Sequence, residues 1–141
     1  MTRIDFYILP RTGEREQTLF ACKLAEKAWR QDYRIFIHTS SGAAARELDE
    51  LLWTFRAGSF LPHGLAEDAD PATTPILVGH DREPAEHTDL LINLAPQVPA
   101  FFSRCMRLAE IVDQEAGRLA GGRERYRFYQ ERGYPLHSHK L

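Results

Sequence analysis

A chain of 141 residues, 43% hydrophobic and 27% charged, has the length and composition of one soluble globular domain, 1–141, that buries about two thirds of its unfolded surface without staples. Its formal net charge of −2 excludes a general basic surface for holding nucleic acid, so any basic site must be local. Cys22 and Cys105 lie far apart without CxxC spacing and read as reduced, partly buried thiols, while no apolar run approaches the ~18 residues of a membrane helix and no signal-peptide pattern opens the chain. The expected location is cytoplasmic, with no membrane partner.

Strand and helix signals alternate along the chain. Arg3 to Leu9 carries Ile4, Phe6, Tyr7, Ile8 and Leu9 and stops at Pro10, as a buried strand does. Thr12 or Gly13 opens a helix from about Glu14 to Gln31, with Leu19, Cys22, Ala25, Glu26 and Trp29 on one side. Arg34 to His38 is a second strand, and Ser40 and Ser41 cap a helix from Ala43 to about Phe55. A long loop, 56–75, ends in an acidic, proline-broken stretch too polar to pack. Ile76 to Val78 and Leu90 to Leu94 are short strands around an acidic, mobile turn, 81–89. After a helical turn near Ala100 to Cys105, Leu108 to Val112 makes a fifth strand and Gln114 to Arg132 a long final helix. Strands separated by helices imply parallel crossovers. The expected fold is therefore α/β, a central mostly parallel five-stranded sheet with helices on both faces, Rossmann-like without a nucleotide-binding loop.

Such a sheet invites an enzyme, yet no catalytic set emerges. GxGxxG, GxxxxGK[ST] and GxSxG are all absent. The histidines are scattered, and only His137 with His139 has close spacing, in a polar tail where a metal site is a remote reading. Glu47, Asp49 and Glu50 read as a solvated helix face rather than paired catalytic carboxylates. No cofactor, metal or small-molecule substrate is expected, and a nucleotide-dependent enzyme is the weaker alternative.

Two stretches ask for partners instead. In Leu48 to Leu65, Leu48, Leu51, Leu52 and Phe55 define one helical stripe, and Trp53 lies off it. Phe60, Leu61 and Pro62 follow in a loop, rimmed by Arg56 and His63. This composition suits an interface anchor, although large aromatics more often cap the core. The last helix holds five arginines between Arg118 and Arg132. Leu119, Arg123, Tyr126, Arg127 and Gln130 share one face, while Phe128 and Tyr129 point elsewhere and hold the helix to the sheet. Guanidinium forks beside a tyrosine suit a peptide with an acidic stretch, an aromatic side chain and a free carboxylate. A plain surface helix with charge pairs is the competing reading. Direct binding of single-stranded DNA is poorer, because this basic segment carries no platform of several aromatics.

The runs LD-x-x-LW at Leu48 to Trp53 and SF-x-PH-x-L at Ser59 to Leu65 resemble the chi subunit of bacterial DNA polymerase III. RIDFYIL at Arg3 to Leu9 and GRERYRFYQERGYPL at Gly122 to Leu136 agree with the same family, in the same order along the whole chain. The resemblance implies a non-catalytic clamp-loader component that bridges the psi subunit to the single-stranded DNA-binding protein, with DNA contact mostly indirect. It assigns Trp53, Phe60, Leu61, Pro62 and His63 to the psi interface. It assigns Val112, Leu119, Arg123, Tyr126 and Arg127 to a pocket for the binding protein's acidic carboxy-terminal tail. In familiar members a lysine stands one turn before the first of these arginines, where this chain has Leu119, with Arg118 the nearest base.

Overall fold

The computed structural model describes residues 1–58 and 60–141; Ser59, part of the SF-x-PH-x-L run, lies outside the described residues. The elements run β1 (Arg3–Ile8), α1 (Glu14–Trp29), β2 (Ile35–His38), α2 (Gly42–Thr54), β3 (His63–Leu65), β4 (Ile76–Gly79) and β5 (Leu90–Asn93). A 3-10 turn (Phe102–Arg104), β6 (Arg107–Val112), α3 (Ala116–Glu131) and β7 (Leu136–Lys140) follow. The strands form one sheet in the order β3-β4-β2-β5-β6-β1-β7, and every ladder is parallel.

The α/β class and the helices on both faces agree with the sequence reading, but the sheet has seven strands rather than five. The two additional strands are its edges. A central parallel strand is buried on both faces and reads as a continuous apolar run, as in ILVG of β4 and LLIN of β5. An edge strand pairs on one side only and tolerates polar residues, so HGL of β3 and LHSHK of β7 look like loop and tail.

Alternation along the strands divides the core. Ile35, Ile37, Ile76, Val78, Ile92 and Ile111 pack under α1 and α2. Ile4, Phe6, Phe36, Leu91 and Leu108 pack under α3 and the 3-10 turn. Side chains cap the starts of α2 and α3. Ser41 Oγ accepts from the Ala44 N–H at 3.0 Å, and Glu115 Oε2 accepts from the Arg118 N–H at 2.7 Å. Cys22 and Cys105 are fully buried rather than partly so, and burial pushes their thiols up to about 12 and about 11.

The segments expected to be loose are tied down. Ala66 and Ala69 pack against the α3-side core. In the acidic turn, His87 is buried with Nε2 2.6 Å from the Thr74 carbonyl oxygen, and Asp89 accepts from the Arg34 N–H at 2.8 Å. Glu83 pairs with Arg104. These bonds draw on single polar residues whose partners lie far along the chain, which periodicity does not reveal.

β7 is joined to β1 by more than its ladder. Asp5, buried on β1, receives Arg3, Arg107 and, from β7, His139 at 2.9 Å. The His139 ring stacks on Tyr7, with centroids 4.7 Å apart. Burial by itself would push the Asp5 carboxyl up; the bonds from His139, Arg3 and Arg107 together outweigh it and hold the group below its ordinary value of 3.8. A depressed carboxylate stabilises the fold above that ordinary value, and the contribution is lost as pH falls through the lowered one. The urea midpoint should therefore decline as pH drops below the ordinary carboxylate range, and Asp5→Asn should show a shallower decline. An identical acid limb in Asp5→Asn would remove Asp5 as its source.

Candidate functional site

In an open α/β sheet the ligand crevice lies where neighbouring strands send their connections to opposite faces. Here those strands are β1, which leads into α1, and β6, which leads into α3 on the other face. The protein fills this crevice with its own carboxylate. Asp113 accepts the Gly13 N–H at 2.7 Å, where α1 begins, and two bonds of 2.8 Å each from Arg118. The Arg118 guanidinium is the main cause holding the Asp113 carboxyl below its ordinary value. Gln114 closes the rim by donating from Nε2 to the Leu9 carbonyl at 2.9 Å. The helix N-terminus that would cradle a phosphate is thus met by Asp113. Ser40, in the turn between β2 and α2, borders an open depression between α1 and α2.

The surface stretch divides at Phe60. Trp53 is 54% exposed and Phe60 81% exposed, and Pro62 is exposed beside them. Leu61 is only 2% exposed and belongs to the core under α1 and α2, and the His63 side chain is fully buried. The expectation of Leu61 as surface and His63 as rim is therefore corrected. The chain enters β3 at His63, and strand alternation and pairing draw these side chains inward. His63 sets Nδ1 2.6 Å from the Leu61 carbonyl oxygen and Nε2 2.9 Å from that of Asp49, and Trp53 leans on its ring with centroids 4.5 Å apart. Arg56 reaches back to buried Glu26 of α1 at 3.0 Å. Leu61, His63 and Arg56 thus support the exposed aromatics from below.

α3 meets the sheet through Gly122, where an added Cβ would lie 2.8 Å from Val112 Cγ2. Beneath it Glu110, fully buried on β6, receives the Tyr129 hydroxyl at 2.6 Å, Asn93 Nδ2 at 3.1 Å and Arg125 Nε at 3.0 Å. Tyr129 holds the helix to the sheet, as its position in the sequence suggests. Three of the five arginines are thereby committed: Arg118 to Asp113, Arg125 to Glu110 and the Pro96 carbonyl, and Arg132 stacked over Phe128. Arg123 and Arg127 have no hydrogen-bond or ion-pair partner among the described residues.

Arg123 borders a groove of about 350 Å³ between α3 and β7. Phe6, Ile8 and Val112 form its apolar floor, Leu119, Gly122, Arg123 and Tyr126 one wall, and Ser138 with Lys140 the other. The Tyr126 ring lies edge-on to Phe6 with centroids 5.1 Å apart. Val112, Leu119, Arg123 and Tyr126 are thus brought together, while Arg127 stands exposed one turn on and outside the lining. Ser138 and Lys140 escaped sequence reasoning because β7 read as a tail.

Residues 1–137 of the 141 match the family model described as DNA polymerase III chi subunit, HolC. The chain belongs to the DNA polymerase III chi subunit family. It is similar to the DNA polymerase III subunit chi of Pseudomonas aeruginosa, with 43% identity over 141 residues, 100% of this chain and 98% of that one. The corresponding subunit of Haemophilus influenzae is 32% identical over 133 residues, covering 94% and 92% of the two chains. That of Escherichia coli is 29% identical over 143 aligned positions, covering 98% and 97%. Members of this family are accessory subunits of the polymerase rather than its catalytic ones. Among the described residues no helix is long and apolar enough to cross a membrane.

The division at Phe60 has a measurable consequence. Leu61→Ala should destabilise the protein by about 2–5 kcal/mol, the cost of emptying a packed site. Trp53→Ala and Phe60→Ala should each cost about 1 kcal/mol or less, as exposed positions do. Urea denaturation of the three variants checks this; a Trp53→Ala loss as large as that of Leu61→Ala would make the tryptophan a core residue.

Proposed function

We propose that this chi-family chain is a cytoplasmic replication adaptor, joining the psi subunit of the clamp loader to the acidic carboxy-terminal tail of the single-stranded DNA-binding protein. The observation that carries this reading is the contrast among the α3 arginines: three are committed within the fold, while Arg123 is left at an apolar groove and Arg127 stands exposed one turn beyond it. The groove takes the tail's terminal aromatic side chain against Phe6, Val112 and Tyr126, and Arg123 takes the free carboxylate as a bidentate fork. Arg127 adds a second positive charge at the lip. Trp53, Phe60 and Pro62 form the apolar centre for psi, with Leu61 and His63 as its buried support.

The arrangement of the sheet favours a bridge. The aromatics sit beside β3 and the groove beside β7, the opposite edges of the sheet, six strand spacings or about 29 Å apart. Two partners can then be held together without sharing a surface. Single-stranded DNA is reached mostly through the binding protein, since the chain is net acidic and three of the five α3 arginines are committed within the fold.

Arg123→Ala should weaken binding of a peptide copying the host binding protein's tail by roughly 1.5–3 kcal/mol, about tenfold or more. Arg127→Ala should weaken it less, and added salt should weaken both further. Calorimetry showing unchanged affinity in Arg123→Ala would remove the groove from consideration.

Truncating Trp53 or Phe60 should cost about 2 kcal/mol or more in association with purified psi while tail-peptide binding stays intact. A folded Trp53→Ala protein that lost both partners together would overturn the two-site adaptor.

A further inference from the structure

The groove lining includes a cation that no helix supplies. β7 alternates, so Leu136, Ser138 and Lys140 face α3 while His137 and His139 face the other way. On that other side His139 is fixed to Asp5 and stacked on Tyr7, and the Leu141 N–H donates to the Ile8 carbonyl at 3.0 Å, so the strand is pinned on both sides of Lys140. The Lys140 side chain lies along the groove wall facing Arg123 and, among the described residues, has no ion partner. Arg118, the base next to Leu119, is engaged elsewhere, by two hydrogen bonds to buried Asp113 and an ion pair with Glu14.

We infer that Lys140, from the edge strand β7, is a specificity-determining residue of the groove: it pairs with an acidic side chain of the bound peptide upstream of the carboxylate that Arg123 takes. The inference rests on the tail-binding reading of the groove. With the terminal aromatic ring on Phe6 and Val112 and the carboxylate taken by Arg123 on the α3 wall, the β7 wall that carries Lys140 is left for the residues that precede them. A lysine is a flexible point charge without fork geometry, suited to an acidic residue whose spacing from the terminus varies. Lys140 is exposed, so its contribution is modest and screened by salt.

The test uses the full chain and two synthetic probes: a peptide of aspartates leading to a carboxy-terminal phenylalanine, and the same peptide with asparagine in place of each aspartate. Lys140→Ala should bind the aspartate peptide about fivefold more weakly than the wild type. Lys140→Arg should restore it, and the asparagine peptide should bind wild type and Lys140→Ala alike. Arg123→Ala should weaken both peptides. Unchanged melting of Lys140→Ala would confirm that β7 stays paired; if it melts early, Lys140→Gln, which keeps the stem, carries the same comparison. Wild-type binding of the aspartate peptide with no loss in a folded Lys140 variant overturns the role of Lys140 and leaves the groove standing. Equal losses for both peptides also overturn it, since the contact would not depend on the acidic side chains. Failure of the wild type to bind either peptide overturns the groove reading itself, and this inference with it.

Discussion

Glu110 stands on β6 with no exposure, and its carboxylate is met by Tyr129, Asn93 and Arg125. Burial pushes this carboxyl up; Arg125 and the hydroxyl and amide donors pull against it. A buried acid that lost these donors would be costly, so α3 is held to one rotation about its axis. Gly122 fixes the same helix in height by allowing close approach to Val112. Once Tyr129 and Arg125 face the sheet, the helical repeat leaves Arg123 and Arg127 on the outward side. The candidate groove is thus a consequence of how the interior of α3 is satisfied.

The fold has a ligand crevice by topology and closes it by chemistry. Parallel strands with helices on both faces create a crevice at the ends of β1 and β6, and the start of α1 points an N–H group into it. Asp113 supplies the anion from within the chain and Arg118 neutralises it. What binds an external phosphate in related architectures becomes here a joint between two helices. With the crevice closed, the exposed aromatics Trp53 and Phe60 lie beside the edge strand β3, and the candidate groove opens between α3 and the edge strand β7.

The sequence by itself determined the α/β class, the central strands and the helices, because apolar runs and helical repeats are local consequences of which surfaces must leave water. It also singled out Trp53 and Phe60, since large aromatics off a core stripe are conspicuous, and Arg123 and Tyr126, since spacing alone puts them on one face. Only the tertiary structure decided the rest. Leu61 and His63 went inward because the chain there turns onto the sheet as β3, a pairing with β4 that three residues reading as loop do not announce. Arg118 and Arg125 were engaged by Asp113 and Glu110; the helical repeat sets Arg123 and Arg127 on another face, but it does not name these acidic partners. β7 and its Lys140 gained a place at the groove through pairing with β1, at the opposite end of the sequence. Polar edge strands and long-range ion pairs have no local signature; their energies depend on partners that meet only when the sheet is assembled.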